Sequence, residues 1–262
     1  MITFDSRLTH RSSIFCKKGD NVDINDNARF MVFGDSHSSF FSGEDLIVYG
    51  LKESNLFNMN FHIYHVGPAL AASLVERQST LMARENIFEV LKREKPSEWH
   101  GVLFAFGEID CRFHIVKRLG HQNALLTDDV KHSIAVTALR YLSFMHEVKL
   151  LGYHPIIWGP VATNFFSINY PDYPNYGSII ERNQITLEFT KLLSKYSADN
   201  EIDFLSIFPA LITDSLETKQ EYYFDTIHLS QKAWQLTVPL LWSWLITNKH
   251  FSIANYPNTL SG

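Results

Sequence analysis

Short apolar runs alternate with longer stretches of helical periodicity along most of this chain, and that alternation restricts the folds open to it. The runs predict strands over 29–33, 45–49, 61–66, 102–106, 155–158 and 202–207. Between them lie helical patterns over 81–95, 128–151, 179–197 and 230–248, with Pro239 placed to kink the last. The pattern over 128–151 is the clearest, because Val130, Ile134, Ala138, Tyr141, Met145 and Val148 recur at three- and four-residue steps and form one apolar stripe. Gly152 follows it, suited to the left-handed turn that ends a helix. Each parallel strand needs a crossover, and a helix is the usual one. The chain is therefore expected to be an α/β protein, a mainly parallel sheet with helices on both faces.

A chain of 262 residues, 45% of them hydrophobic, can bury a substantial core and demands no second domain. Residues 1–27 are polar and aperiodic and read as an N-terminal arm, and 28–262 as one α/β domain. The net charge is −5, with Lys and Arg scattered, which disfavours nucleic acid or an anionic membrane as partner. Cys16 and Cys111 form neither a disulfide framework nor a zinc spacing. The N-terminal residues lack a basic region followed by an apolar segment, and no apolar run is long enough to span a bilayer. A cytoplasmic protein without a membrane span is the expectation; the oligomeric state is open.

The first predicted strand carries Phe30, Met31, Val32 and Phe33 and stops at Gly34-Asp35-Ser36-His37. It delivers a serine just beyond the carboxyl end of a strand, where open α/β sheets hold their ligands. A serine hydroxyl is a weak nucleophile and needs a base within hydrogen-bond reach, itself oriented by a third group. Asp225 and His228, three residues apart before the last helix, can share one loop in which the carboxylate orients the imidazole. The order Ser, Asp, His also occurs in α/β-hydrolases, but no Gly-x-Ser-x-Gly elbow is present and the Asp–His spacing is much tighter.

Gly34-Asp35-Ser36 and Asp225-x-x-His228 resemble the first and last sequence blocks of the SGNH (GDSL-type) hydrolases. The resemblance implies a three-layer α/β/α sandwich with a central, mainly parallel, five-stranded sheet of the flavodoxin type. It implies a serine acyl hydrolase or acyltransferase in which Ser36 attacks, His228 is the base, Asp225 orients His228, and no metal or organic cofactor is required. It further implies an oxyanion hole from the N–H groups of Ser36 and of Gly67, in His65-Val66-Gly67-Pro68. The family's third block, Gly-x-Asn-Asp, here reads Gly107-Glu108-Ile109-Asp110, so Ile109 stands where a side-chain donor is usual. One such donor is commonly worth on the order of 10²–10³ in turnover. Three outcomes are open: Arg112 takes over, the backbone pair suffices, or the protein does not hydrolyse esters. The Glu-Ile-Asp-Cys-Arg form is also similar to members accompanying bacterial surface-polysaccharide synthesis. That likeness admits a sugar hydroxyl as acyl acceptor, while the wide use of the SGNH family on acetylated glycans implies an O-acylated carbohydrate as substrate.

Asp35, His37, Glu108, Asp110 and Arg112 are further candidates for substrate contact, although Glu108 and Arg112 read equally as a structural ion pair. His62 and His65 read as packing or hydrogen-bonded residues. Between Trp158 and Tyr176, the residues Phe165, Phe166, Tyr170, Tyr173 and Tyr176 make a loop that either caps the site and stacks on a sugar ring or acyl chain, or packs on the surface. Two other functions compete. Asp35-x-His37 resembles the first ligand pair of the calcineurin-like metallophosphoesterases, with Asp110, His114 and His228 as further ligands, but that family's Gly-Asp-x-x-Asp and Gly-Asn-His blocks are missing. Given Ile109, the other is an SGNH scaffold that binds a glycan or a protein without turnover. Each motif alone also has a structural reading, a turn for Gly34-Asp35-Ser36 and a helix cap for Asp225.

Overall fold

A computed structural model describes residues 27–77, 81–119, 126–163 and 176–250. The strands are β1 (Ala28–Gly34), β2 (Leu51–Leu56), β3 (Met59–His65), β4 (Gly101–Ala105), β5 (Pro155–Trp158) and β6 (Asp203–Leu205). The helices are α1 (Ala83–Arg93), α2 (Asp128–Leu150), α3 (Ile179–Asp199) and α4 (Trp234–Thr247). The strands form one sheet in the order β2-β3-β1-β4-β5-β6, parallel except for the antiparallel pairing of β2 with β3.

Strand β1 runs through the middle and reads as a continuous apolar run because both of its faces are covered. Met31 and Phe33 join the cluster under α1, α2 and α3, while Phe30 and Val32 face α4 together with Phe40 and Phe41. The same alternation divides β4, with Val102 and Phe104 on one side and Leu103 and Ala105 on the other. Helix α2 docks through its apolar stripe, is capped by Thr127 Oγ1 accepting from Val130 N, and is followed by Gly152 at φ +87°. Ser178 and Glu181 form a reciprocal capping box at the start of α3.

The sheet has six strands where five are expected, and the edge differs from the sequence reading. Residues 45–49 are not a strand, since their polar groups are engaged elsewhere: Asp45 Oδ1 accepts from Gln231 N at 2.6 Å and Val48 N donates to Ser39 Oγ at 3.0 Å. The hairpin partner of β3 is β2, Leu-Lys-Glu-Ser-Asn-Leu, a polar, half-exposed edge. Phe57 and Asn58, both at positive φ, close that hairpin, and Phe-Asn lacks the glycine that normally announces such a turn. A short 3-10 turn over Gln231–Ala233 precedes α4, which therefore starts later than expected, and Pro239 lies inside it. Residues 1–26, with the expected arm and Cys16, lie outside the described residues, as do Phe165, Phe166, Tyr170 and Tyr173. Cys111 is a free, buried thiol. Among the described residues no helix is long and apolar enough to cross a membrane.

Gly34 ends β1 at a point where no side chain fits. A Cβ there would lie 2.8 Å from Ala105 O and 2.8 Å from Ser38 Cβ. Gly34→Ala is expected to destabilise the protein by about 1–3 kcal/mol, the usual result of overpacking. The measurement is the urea unfolding midpoint; an unshifted midpoint would refute the close approach.

Candidate active site

Strand register sets the site. Gly34 pairs with His65 of β3 on one side and with Ala105 of β4 on the other. Ser36, Gly67 and Gly107 each lie two residues beyond those partners, so three loops start level at the carboxyl edge. The chain leaves β1 toward β3 and then crosses back to β4, and the gap between β1 and β4 is the point where such sheets bind ligands. Gly67 has φ +86° and Gly107 φ +107°, conformations that favour glycine. Among the described residues, the N–H groups of Ser36 and Gly67 donate no hydrogen bond.

Ser36 opens a 3-10 turn over Ser36–Ser42, capped by Asp35, whose Oδ1 accepts from His37 N at 2.9 Å. His228 comes from the far end of the chain, and its Nε2 lies 2.8 Å from Ser36 Oγ. Its Nδ1 lies 2.7 Å from Asp225 Oδ2. Asp225 Oδ1 accepts from the N–H groups of Ile227 and His228, each at 2.7 Å, so one carboxylate both shapes the loop and meets the imidazole. Burial acts to raise the Asp225 carboxyl, but the hydrogen bonds from His228 and the backbone override it and hold the group at about 2. The arrangement fits a tautomer with Nδ1–H donated to Asp225 and Nε2 accepting from Ser36 Oγ–H.

The loop bearing Asp225 and His228 is fastened by residues the sequence reading did not single out. Tyr223 and Leu229 pair across it, Tyr223 Oη donates to Ala162 O at 2.9 Å, and the Phe224 ring stacks on His228. Gln231 ties it to the serine turn, its Nε2 donating to Phe40 O at 3.1 Å and its N–H to Asp45. Gln231 and Asp45 carry no local signal, because their contact spans 186 residues.

Next to the serine lies a buried set of charges. Glu108 (4% exposed) accepts from Arg112 Nε at 2.6 Å, and its other oxygen is 3.3 Å from His37 Nε2. Burial would raise Glu108, but Arg112 and His37 outweigh it and hold the carboxyl well below its ordinary range. Asp110 accepts from Ala71 N at 2.8 Å and Ala72 N at 3.2 Å, which fastens the loop that follows Gly67 to the third block. Burial raises Asp110 to about 6 and also raises Asp35. Arg112 therefore sits in the site region on a π-helical turn over Asp110–Ile115, with its Nε engaged by Glu108. Ile109 is buried, belongs to neither hydrophobic cluster, and brings no donor.

His62 Nδ1 pairs with Glu53 at 3.3 Å and the His65 ring packs edge-on to Tyr49, so both serve the β2–β3 edge. Tyr176, the described member of the aromatic loop, packs against Phe113. The metal reading finds no matching donor set: Asp110 is spent on two backbone N–H groups and the His114 ring packs on Phe113. Among the described residues no group of three or more His, Cys, Asp or Glu is placed to hold a metal ion.

No family profile and no curated protein matches the sequence. Solved structures do match. A GDSL-like lipase from Bacteroides thetaiotaomicron is 12% identical, with 85% of this chain and 89% of that one covered and a TM-score of 0.50. A candidate acylhydrolase from Bacteroides fragilis is 13% identical, with 86% and 89% covered and a TM-score of 0.50. At such identities the likeness is one of architecture: this chain has the SGNH hydrolase fold.

Proposed function

We propose that this protein is a serine acyl-ester hydrolase or O-acyltransferase. The observation that carries the reading is the unbroken chain from Ser36 Oγ through His228 to Asp225, 2.8 and 2.7 Å per link. Ser36 attacks the ester carbonyl while its proton passes to His228 Nε2, and Asp225 stabilises the imidazolium that forms. The carbonyl oxygen, now negative, lies against the N–H groups of Ser36 and Gly67. His228 then returns the proton to the departing alcohol oxygen and leaves an acyl group on Ser36. Water or a second hydroxyl, deprotonated by His228, attacks that acyl group and regenerates the serine. No step requires a metal or organic cofactor. The substrate proposed is an ester of a sugar hydroxyl, with either water or another sugar hydroxyl as acceptor; support for the sugar comes from the aromatic segment of the sequence.

Ser36→Ala and His228→Ala are each expected to lower release of p-nitrophenol from a short-chain ester by about 10⁶ in kcat, and Ser36→Ala to abolish labelling by a fluorophosphonate. Folded wild-type protein that neither labels nor turns over any ester would leave the scaffold as a binding module. Asp225→Asn should retain the loop but lose about 10⁴ in kcat, since the imidazole tautomer is no longer held; near-normal turnover in that variant would remove Asp225 from the triad. Because the Asp225 carboxyl is held at about 2, its contribution to stability is present above the ordinary carboxylate range and is lost only as pH falls toward that value. The fold is therefore expected to stay intact by circular dichroism on acidification to about pH 4; unfolding above that pH would contradict it.

A further inference from the structure

Ser36 and His228 are held by different parts of the molecule. The serine turn grows out of β1, whereas the His228 loop is anchored through Tyr223 to Ala162 and leads into α4. A displacement of about 1 Å between reacting groups can cost about 10² in rate, so something must fix their separation. Among the described residues, the hydrogen bonds that join segment 36–45 to segment 222–234, apart from Ser36 to His228, all run from Gln231. Its N–H donates to Asp45 Oδ1 at 2.6 Å, and its Nε2 donates to Phe40 O at 3.1 Å and to Glu44 O at 3.2 Å. Gln231 opens the 3-10 turn over Gln231–Ala233, so its N–H belongs to those that a helical turn leaves without an internal partner. Ser230, at the N-cap, places no side-chain bond on that turn, and Asp45 supplies an acceptor from the serine segment. The far end of the side chain is held as well, because Gln231 Oε1 accepts from Trp234 Nε1 at 2.7 Å. An indole N–H only donates, so the amide oxygen must face it and the amide nitrogen must face the two carbonyls. The Phe40 ring stacks on Trp234 with centroids 4.8 Å apart, which presses the segments together. Stacked rings can slide; the directional hydrogen bonds of one carboxamide cannot.

We propose that Gln231 is a positioning residue for acyl transfer, its carboxamide and N–H clamping the His228 loop to the serine turn so that His228 Nε2 stays within hydrogen-bond reach of Ser36 Oγ. The inference rests on the serine acyl-transfer reading above and adds to it the group that sets the distance. Gln231 touches no reacting atom and exchanges no proton. Its effect falls on the passage of the serine proton to His228 and on the return of that proton, and so on kcat, not on substrate binding. Glutamate has nearly the same shape and keeps an oxygen for Trp234 Nε1, but its second oxygen would face Phe40 O and Glu44 O, acceptor against acceptor. That change opens the clamp at the serine turn and leaves its α4 end closed.

In the full-length protein, Gln231→Glu is expected to lower kcat on a p-nitrophenyl ester by about 10–10² with little change in KM, and to slow fluorophosphonate labelling of Ser36 by a similar factor, with circular dichroism unchanged. A merely structural loosening would lower the rate equally in every background. Positioning does not: in Asp225→Asn, where the imidazole is already misoriented, adding Gln231→Glu should cost less than about threefold, because both changes damage the same step. Asp45→Ala tests the outer end of the clamp at an exposed residue. There kcat should fall with KM unchanged, and Asp45→Asn, which keeps an acceptor oxygen, should restore it. Wild-type kcat and labelling in folded Gln231→Glu, or a full further loss in the double variant, with Ser36→Ala inactive, would overturn the role of Gln231 and leave the triad standing. Should Gln231→Glu not fold, the Asp45 pair decides alone: equal kcat in wild type, Asp45→Ala and Asp45→Asn would overturn the clamp. Full activity in Ser36→Ala would instead overturn the serine reading beneath it.

Discussion

The parallel pairing of β1 with β3 on one side and β4 on the other is the constraint from which the rest follows. In-register parallel strands end level, so the residues two beyond Gly34, His65 and Ala105 arrive at one edge whatever their distance in sequence. That pairing requires both faces of β1 to be covered, which is why the strand reads as Phe30-Met31-Val32-Phe33 with no polar break. It also requires close approach at Gly34, whose missing side chain lets β1 sit against Ala105 and Ser38. The sheet thus sets the position of Ser36 more firmly than its own loop does.

Parallel pairing does not bring His228 to Ser36; a separate set of contacts does. Ser230 N–H to Tyr222 O closes the loop, Tyr223 ties it to Ala162, and Gln231 ties it to the serine turn. Within that loop Asp225 carries two duties at once. Its carboxylate accepts two backbone N–H groups of the loop and meets the imidazole. The helix cap expected of Asp225 does not form, since the N–H groups it accepts belong to a bend before the helical turn at Gln231–Ala233.

The buried charges around Ser36 form a second layer of order. Asp110 joins the third block to the loop after Gly67, and Glu108 joins Arg112 to His37. Charges this deep are tolerated only when matched, and removing one partner leaves another exposed to the low-dielectric interior. The segment Gly107–Asp110 therefore has a use that asks nothing of the Ile109 side chain: Gly107 turns the chain, Asp110 pins the neighbouring loop, and Glu108 pairs with a histidine.

Much of this was legible from local chemistry. Strand β5 lies where its apolar run placed it, α2 and α3 differ by one or two residues at their ends, and Ser36, Asp225 and His228 were visible because each sits where a strand or helix begins or stops. What local chemistry could not show was anything decided by contact across the sheet. The edge strand β2 is polar because only one side of it is paired, so it carries no apolar signature, and the stretch 45–49 looked like a strand although its polar groups bind Gln231 and Ser39. The sequence alone determined which residues bury and where the chain turns, since hydrophobic periodicity and glycine freedom act over a few residues. Only the tertiary structure decided that His37 shares a buried pair with Glu108, that Asp110 holds Ala71 and Ala72, and that Ser36 and His228 meet across 192 residues. Those contacts depend on strand order and register, which are set by packing the whole sheet at once.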